Sequence, residues 1–365
     1  MINRRWLAYL TVVPVLLPAA LSACREVGGD ILRSNPAGTG TVPTSTDAAA
    51  GSDLDALFQD DADDGAATLD SADASSAAPP DVSAPAVPDA DSSVTTTAQL
   101  DQLLGPWGNV EPVTPIPPLA STYNDDDPTV TEDLLELYFT STRNGSTNVY
   151  LSKRIAIDVP WGPPSLVTQL SIGGSEDTPE IAPGGLTMWF ARNVRGTTTG
   201  RDVFVTTRPT RSAPWSAGTL VPELSSPAED FSPTPSPDGL TMVMSSYRAP
   251  SMGADDLFFA RRPSLASRWT APTWIPVLES SARESGPFRP GDDTLIYFTS
   301  WRNGMQIWRA SRADASRPCD PPTLVSELSP GSNLAGQPWI SSDLRLMYLV
   351  FKAPNRTTQI GEVRR

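Results

Sequence analysis

Carboxylates and guanidinium groups recur at matching places along this chain, and they are the residues that could do its chemistry. Asp125-Asp126-Asp127, Glu176-Asp177, Glu229-Asp230 and Glu284 each stand shortly before a proline, and Arg143, Arg195, Arg248 and Arg302 each follow the apolar run after that proline. Asp127, Glu176, Asp177, Glu229, Asp230 and Glu284, with Arg143, Arg248 and Arg302, are therefore the candidate binding residues. Two roles fit them. A charged ring could receive a partner's peptide or a small ligand, or the charges could pair with one another and stitch loops, each exposed pair being worth under about 1 kcal/mol. Residues that break the recurrence are further candidates for contact: Trp301, Trp339, Phe288, Tyr247 and the long loop from Arg195 to Arg201. Exposed aromatics there would suit protein or sugar contacts.

What the chain lacks narrows the chemistry further. It contains no histidine, which removes Ser-His-Asp and Cys-His catalysis, histidine-zinc sites and histidine pH sensing. The catalytic alternative is a glycosidase working with two or three channel carboxylates, for which the inner runs Thr178 to Ala182 and Phe288 to Pro290 offer only Glu180. Calcium held by oxygen ligands such as Asp255-Asp256 or Asp292-Asp293 could accompany either reading. No cofactor and no resident metal is assigned. The run Asp60 to Gly65 resembles a calcium loop, but Ala62 and Ser71 fall where that loop needs a side-chain oxygen and a bidentate Glu, so it reads as a solvated acidic stretch.

The elements that must position these residues follow a repeat. Trp107, Trp161, Trp215 and Trp269 are spaced by 54 residues, and Pro128, Pro179, Pro233, Pro287 and Pro338 mark five copies. Starting at the ninth residue after each proline comes an apolar triplet, such as Leu137-Tyr138-Phe139 or Ile296-Tyr297-Phe298. Three apolar residues in succession predict a strand buried on both faces, as when sheets are stacked beside one another. Turn signals precede it, clearest in Ser236-Pro237-Asp238-Gly239. A further strand-like run follows in every copy and another in the first four, for example Asp256 to Arg262 and Ile275 to Leu278. With the segment after the anchor proline this makes four strands per copy, and a period near 50 of such strands predicts propeller blades.

The pattern Pro233 to Arg248, PTPSPDGLTMVMSSYR, followed by Asp256 to Arg261, DLFFAR, resembles the WD-like repeat of the TolB-type β-propeller. The resemblance covers all five copies and implies an all-β, five-bladed propeller of four-stranded antiparallel blades, with contacts to envelope proteins. Gly184 in place of Asp, and Lys352 to Asn355 in place of the Ser-x-Arg loop, depart from the pattern. The chain ends on the third strand of the fifth copy, while a spare outer strand, Trp107 to about Leu119, lies at the other end. That N-terminal segment is expected to close the ring and remove an exposed edge. About 260 residues can bury roughly three quarters of their unfolded surface, so the domain needs neither metal nor disulfide for a core.

The N-terminus reads as an address. Arg4-Arg5, the apolar stretch Trp6 to Ala20 and Leu21-Ser22-Ala23-Cys24 are similar to a bacterial lipoprotein signal, which implies cleavage before Cys24 and lipidation of it. Cys319 is then the one remaining cysteine, read as a half-buried small side chain with no intramolecular disulfide available to it. Arg25 after the cysteine favours the outer membrane. Residues 25–105 are rich in Ala, Ser, Asp, Thr and Pro, and fifteen acidic residues against two arginines leave a charge of -13 there. Such a segment reads as a disordered, self-repelling tether. The resulting expectation is a signal peptide over 1–24, a linker over 25–105 and a propeller over 106–365. Its function is a non-catalytic, lipid-anchored scaffold of the cell envelope, held to the membrane by lipid and binding a protein, peptide or wall polymer. A glycan is the second candidate ligand, the acidic balance excludes nucleic acid, and the chain is expected to be a monomer on the periplasmic or surface face.

Overall fold

The computed structural model describes residues 104–108, 116–193, 200–291, 293–313, 317–328, 334–353 and 357–365. The signal peptide of 1–24, lipidation at Cys24 and the linker up to residue 103 lie outside them, as does the acidic run at 60–65.

Five antiparallel sheets follow one another in the chain. The first contains β1 (Asp125–Val130), β2 (Glu136–Ser141), β3 (Asn148–Lys153) and β4 (Ser165–Leu166) in that order. The second contains β5 (Ser175–Ile181), β6 (Thr187–Asn193), β7 (Arg201–Thr207) and β8 (Thr219–Leu220). The third and fourth repeat the arrangement with β9 (Asp230–Pro235), β10 (Thr241–Ser246), β11 (Asp256–Arg261) and β12 (Thr273–Trp274), then β13 (Glu284–Phe288), β14 (Leu295–Ser300), β15 (Gln306–Ser311) and β16 (Thr323–Leu324). The fifth contains β17 (Ala335–Ile340), β18 (Leu346–Lys352) and β19 (Thr358–Arg364). The first strands touch around a full circle, β1 to β5, β5 to β9, β9 to β13, β13 to β17 and β17 back to β1. The molecule is a five-bladed β-propeller.

The apolar triplets sit on the second strands, and all of β2 and β14 is buried. Blade faces pack on blade faces, so both sides of each such strand lose water. The hairpin turns form as their sequence demands. In the third blade Ser236 Oγ donates to Asp238 Oδ1 at 2.6 Å, and the same carboxylate accepts the Leu240 N–H at 2.9 Å. Thr131 with Asp133 and Ser341 with Asp343 repeat this contact at 2.7 and 2.6 Å.

The N-terminal segment takes the outer position of the fifth blade. Gly108 N donates to Arg364 O at 2.9 Å and Ile116 N to Ile360 O at 3.2 Å. The first of these bonds has a counterpart in every other blade, from Gly162 to Lys153, Ser216 to Thr207, Thr270 to Arg261 and Asp320 to Ser311. Each recurring tryptophan lies just before this donor and is covered by an arginine from the end of the third strand. Arg154 lies 4.2 Å over Trp161, Arg208 4.4 Å over Trp215, Arg262 4.3 Å over Trp269, and Arg365 4.3 Å over Trp107. The closing contact thus has the backbone bond of the other four blades and the covered tryptophan of three of them.

These tryptophans also join blades. Trp215 Nε1 donates to Tyr138 OH and Trp161 Nε1 to Tyr348 OH, both at 3.3 Å, and Trp269 meets Trp189 edge-on at 5.8 Å. In the fourth blade Cys319 occupies the tryptophan position, and the residue in the facing slot is the small Val243 of the same cluster. The aromatic pair is replaced by a small pair, so the volumes still match. Cys319 is therefore a packed, half-buried side chain, and burial pushes its thiol above the usual range.

Candidate functional site at the channel mouth

Because β1 and β2 are antiparallel, the loop before each inner strand and the loop after each second strand emerge together: Asp125 pairs with Ser141 and Asp230 with Ser246. The recurring acids and arginines meet there. Arg143 Nη2 lies 2.6 Å from Asp125, Arg248 Nη2 2.6 Å from Asp230 and Arg302 Nε 3.2 Å from Glu284. In the second blade Arg192 pairs with Glu176 at 3.1 Å; Arg195 lies outside the described residues. Each arginine also donates to a carbonyl of the preceding connection, Leu119, Leu170, Leu224 or Leu278. The four carboxylates are buried. Of the two roles weighed for these charges, the geometry supplies what the pairing role needs, within blades rather than between them.

Asp127 and Asp177 are placed differently, at the mouth of the central channel. The residue before each anchor proline has a left-handed backbone: Asp127 (φ 52), Thr178 (φ 46), Ser232 (φ 48), Gly286 (φ 56) and Gln337 (φ 49). A β-bulge results in every inner strand, where the register shifts. The bulged N–H groups are satisfied around the ring. Thr178 N donates to Asp127 Oδ2 at 3.3 Å, Ser232 N to Thr178 Oγ1 at 2.9 Å, and Asp127 N to Gln337 Oε1 at 3.3 Å. Gly286 has no side chain to offer the next blade, and Thr299 Oγ1 accepts the Gln337 N–H instead, at 2.7 Å. A ring of side chains thus links the blades where each backbone would otherwise leave a buried donor unpaired.

Above this ring a mixed strip of charge and aromatic surface crosses the first four blades. Arg201 Nη1 lies 3.3 Å from Asp177 and its Nη2 lies 2.6 Å from the half-exposed Glu229. Its guanidinium covers Phe231 at 3.9 Å, and Phe231 stacks against Tyr247 with centroids 6.0 Å apart. Tyr247 is 38% exposed. Arg283 continues the strip, held by Asp255 at 2.5 Å and lying 4.7 Å over Trp301. Gly200, at φ +78, lets the chain pass Glu229: a Cβ there would come within 2.7 Å of the Glu229 Cγ.

The mouth carboxyls are hard to ionise. Burial, reinforced by the charges of Asp125 and Asp177, raises Asp126 to about 6. Burial and the Asp126 charge raise Asp127 to about 7, and burial raises Asp177 to about 7 against the opposing pull of Arg201. Three such acids, two of them beside the Arg201 guanidinium, leave the mouth able to change charge near neutrality.

Below the ring the channel holds two small cavities. The upper, of about 30 Å³, is lined by the bulge residues and their prolines. The lower, of about 130 Å³, reaches the hairpin turns, and Glu180, Thr234 and Phe288 line both. Burial pushes the Glu180 carboxyl up to about 8. Phe288 and Trp339 are buried in the channel wall and tilted together at 5.9 Å, so neither is a surface contact.

A second carboxylate group lies beside the third and fourth blades, where oxygens of Asp256, Glu279 and Glu284 come within 4.8 Å of one another. Such a set could hold a cation, but Glu284 is already paired with Arg302 and accepts from Ser280 and Ser300. Burial and the charges of Asp256 and Glu284 push Glu279 up to about 10. A protonated Glu279 donating to Asp256 accounts for the close approach. Of the other oxygens named for calcium, Asp255 is bound by Arg283, Asp293 lies between Arg289 and Arg312, and Asp292 lies outside the described residues.

Sequence reasoning did not find Arg192, and it reached Arg201 only as the end of the long loop from Arg195. Arg192 sits two residues earlier in its copy than Arg143, Arg248 and Arg302 do in theirs, which hides it from alignment. Arg201 opens β7 and earns its place only through Asp177 and Glu229 on other strands.

No family model matches the sequence, and no curated protein matches it. Among solved structures, the chain is similar to TolB from Acinetobacter baumannii at 14% identity and a TM-score of 0.41, over 67% of this chain and 57% of that one. It is also similar to an endo-arabinase from Bacteroides thetaiotaomicron VPI-5482, at 15% identity and a TM-score of 0.46 over 69% and 96% of the two chains. An alpha-L-arabinofuranosidase from Lactobacillus brevis matches at 14% identity and a TM-score of 0.45, over 68% and 92%. Likeness at this level carries no argument about activity.

Proposed function

We propose that this chain is a non-catalytic binding scaffold that receives a protein or peptide segment, or a wall polymer, on the channel-mouth face. The supporting observation is the strip from Asp127 and Asp177 through Arg201, Phe231 and Tyr247 to Arg283 and Trp301. It departs from the blade repeat, exposes a tyrosine and carries both signs of charge, the composition of an interface anchor with a polar rim. Asp127, Asp177 and Glu229 are the acids from the recurring loops that contribute to it. Glycoside hydrolysis is the competing reading. It requires two carboxyls set about 5 or roughly 6.5–9.5 Å apart across a sugar, whereas the channel cavities, of about 30 and 130 Å³, are below the usual 300 Å³ or more of a ligand cleft (about 300–1,000 Å³).

The reading includes lipid attachment at Cys24 and residence in the cell envelope, at the outer membrane, supported by the signal-like N-terminus. Labelled fatty acid should enter the wild type and not Cys24→Ala, which should leave the membrane fraction. For the face itself the test is crosslinked affinity capture from an envelope extract. Tyr247→Ala and Arg201→Ala should lose the partner, and Ile155→Asp, an 88% exposed position at the opposite end of the blades, should keep it. Equal capture by all variants would move the site elsewhere, and arabinan or xylan cleavage lost in Glu180→Gln would replace the scaffold reading with an enzyme.

A further inference from the structure

The lower half of the channel has a wall of unusual polarity. Pro183, Pro235, Pro237 and Pro290 line it and contribute carbonyls but no N–H. Most nearby donors are spent inside the protein, although the buried Nε of Arg289 has no hydrogen-bond partner. Ile181 N donates to Thr129 Oγ1, Ala182 N to Thr187 O and Thr234 Oγ1 to Pro287 O. Arg289 is buried, with Nη1 on Asp293 and Thr241 and Nη2 on Thr234 O and Thr241 O. Two buried rings, Phe288 and Trp339, form part of the same wall. Glu180 lines the same cavity, with Thr129 as its hydrogen-bond partner and no ion pair among the described residues.

A wall rich in acceptors and poor in free donors suits a ligand that brings its own donors or positive charge. A sugar would bring many hydroxyl acceptors that the wall cannot satisfy. A carboxylate would face Glu180, with both Nη groups of Arg289 already bound and its Nε buried. A divalent metal ion needs about six oxygen ligands, and the wall supplies one carboxylate.

We propose that the lower channel binds a small alkylammonium ion, with Glu180 as counter-ion and the Phe288 and Trp339 rings as the aromatic wall beside its charge. Ammonium groups are attracted to ring faces as well as to carboxylates. The volume of about 130 Å³ admits a small ammonium ion and excludes a peptide or oligosaccharide. This site lies below the mouth and is independent of the partner face above it. The charged groups around Glu180 are Arg289 just past β13, then Asp293 and Arg312 behind it, with Glu132 exposed at the rim. With its carboxyl pushed up to about 8, Glu180 is mainly protonated at neutral pH, so ammonium binding must displace a proton.

The test is titration calorimetry of the full chain with tetramethylammonium and n-butylammonium chloride. It is run at pH 7 in phosphate and in MOPS, with sodium chloride and neopentyl alcohol as controls. The expected result is one saturable site per chain, release of nearly one proton, tighter binding at pH 9, and about tenfold or greater weakening in Glu180→Gln. Absence of saturable binding, equal binding of the neutral alcohol, or unchanged affinity in a folded Glu180→Gln protein would overturn it. Should that variant fail to fold, Glu180→Asp and Phe288→Leu take its place, and unchanged affinity in both overturns the site.

Discussion

The four buried acid–arginine pairs show how one residue type changes meaning with its surroundings. Asp230 is fully buried and accepts from Arg248, Ser246 and Ser226, so removing the guanidinium strands a buried charge. Arg248→Ala should therefore cost about 3–5 kcal/mol, read by urea unfolding. Arg211→Ala, which removes a more exposed partner of Asp133 and Glu136, should cost less. At the mouth the sign of the electrostatics reverses. Asp127 and Asp177 titrate near 7 when folded and near 3.9 when unfolded, so between these values the folded state holds protons that the unfolded state has released. Their contribution to stability is intact below about pH 4 and disappears as pH rises through about 7. The melting temperature should fall across that window, and the Asp127→Asn/Asp177→Asn double variant should flatten the slope. An equal slope in wild type and variant would place the titration elsewhere.

At the scale of the element, the decisive piece is the short segment holding Trp107. It gives the fifth blade the outer contacts that the end of the chain does not supply, and Arg365 covers its indole as Arg208 covers Trp215. Deleting residues 106–119 should lower the melting temperature far more than deleting 250–253, a mostly exposed loop. A truncated chain that melts like the full one would show that the closing contacts are dispensable. Tryptophans are worth more in this architecture than cysteine in the same slot. Trp215→Ala should cost about 3–5 kcal/mol, while Cys319→Ala should cost about 1 kcal/mol, because Val243 leaves less volume to lose. Blade number, strand order and the turn chemistry of Ser236 to Gly239 were legible from the sequence, since each rests on local pattern repeated five times. The bulges were not. A left-handed Asp127 or Gln337 carries no local signature and is held by a neighbour from another blade.

For the whole molecule, the ring turns five nearly equivalent blades into an asymmetric object. The mouth gathers the hard-to-ionise Asp127 and Asp177 toward Arg201, the aromatic strip runs on across the third and fourth blades, and the lower channel sets Glu180 against a wall of proline and aromatic residues. Glu279→Gln tests whether the carboxylate group near Asp256 is a proton-sharing pair. It should leave the melting temperature at pH 7 close to wild type and make it less sensitive between pH 8 and 10, with millimolar calcium changing neither protein. A rise of several degrees with calcium in the wild type alone would establish a metal site there.

The sequence by itself determined the architecture, because strand burial, turn geometry and blade period are written in apolar triplets and Asp-Gly turns that act over a few residues. It also located the loops whose acids and arginines would meet. Only the tertiary structure decided what those charges do. Whether a carboxylate is spent in an ion pair, as Glu284 is, or left protonated at a channel, as Asp127 is, depends on the depth of burial and on partners from distant strands. Those are set when the ring closes, and acids from corresponding loops, two positions apart in the repeat, then come to have different chemistry.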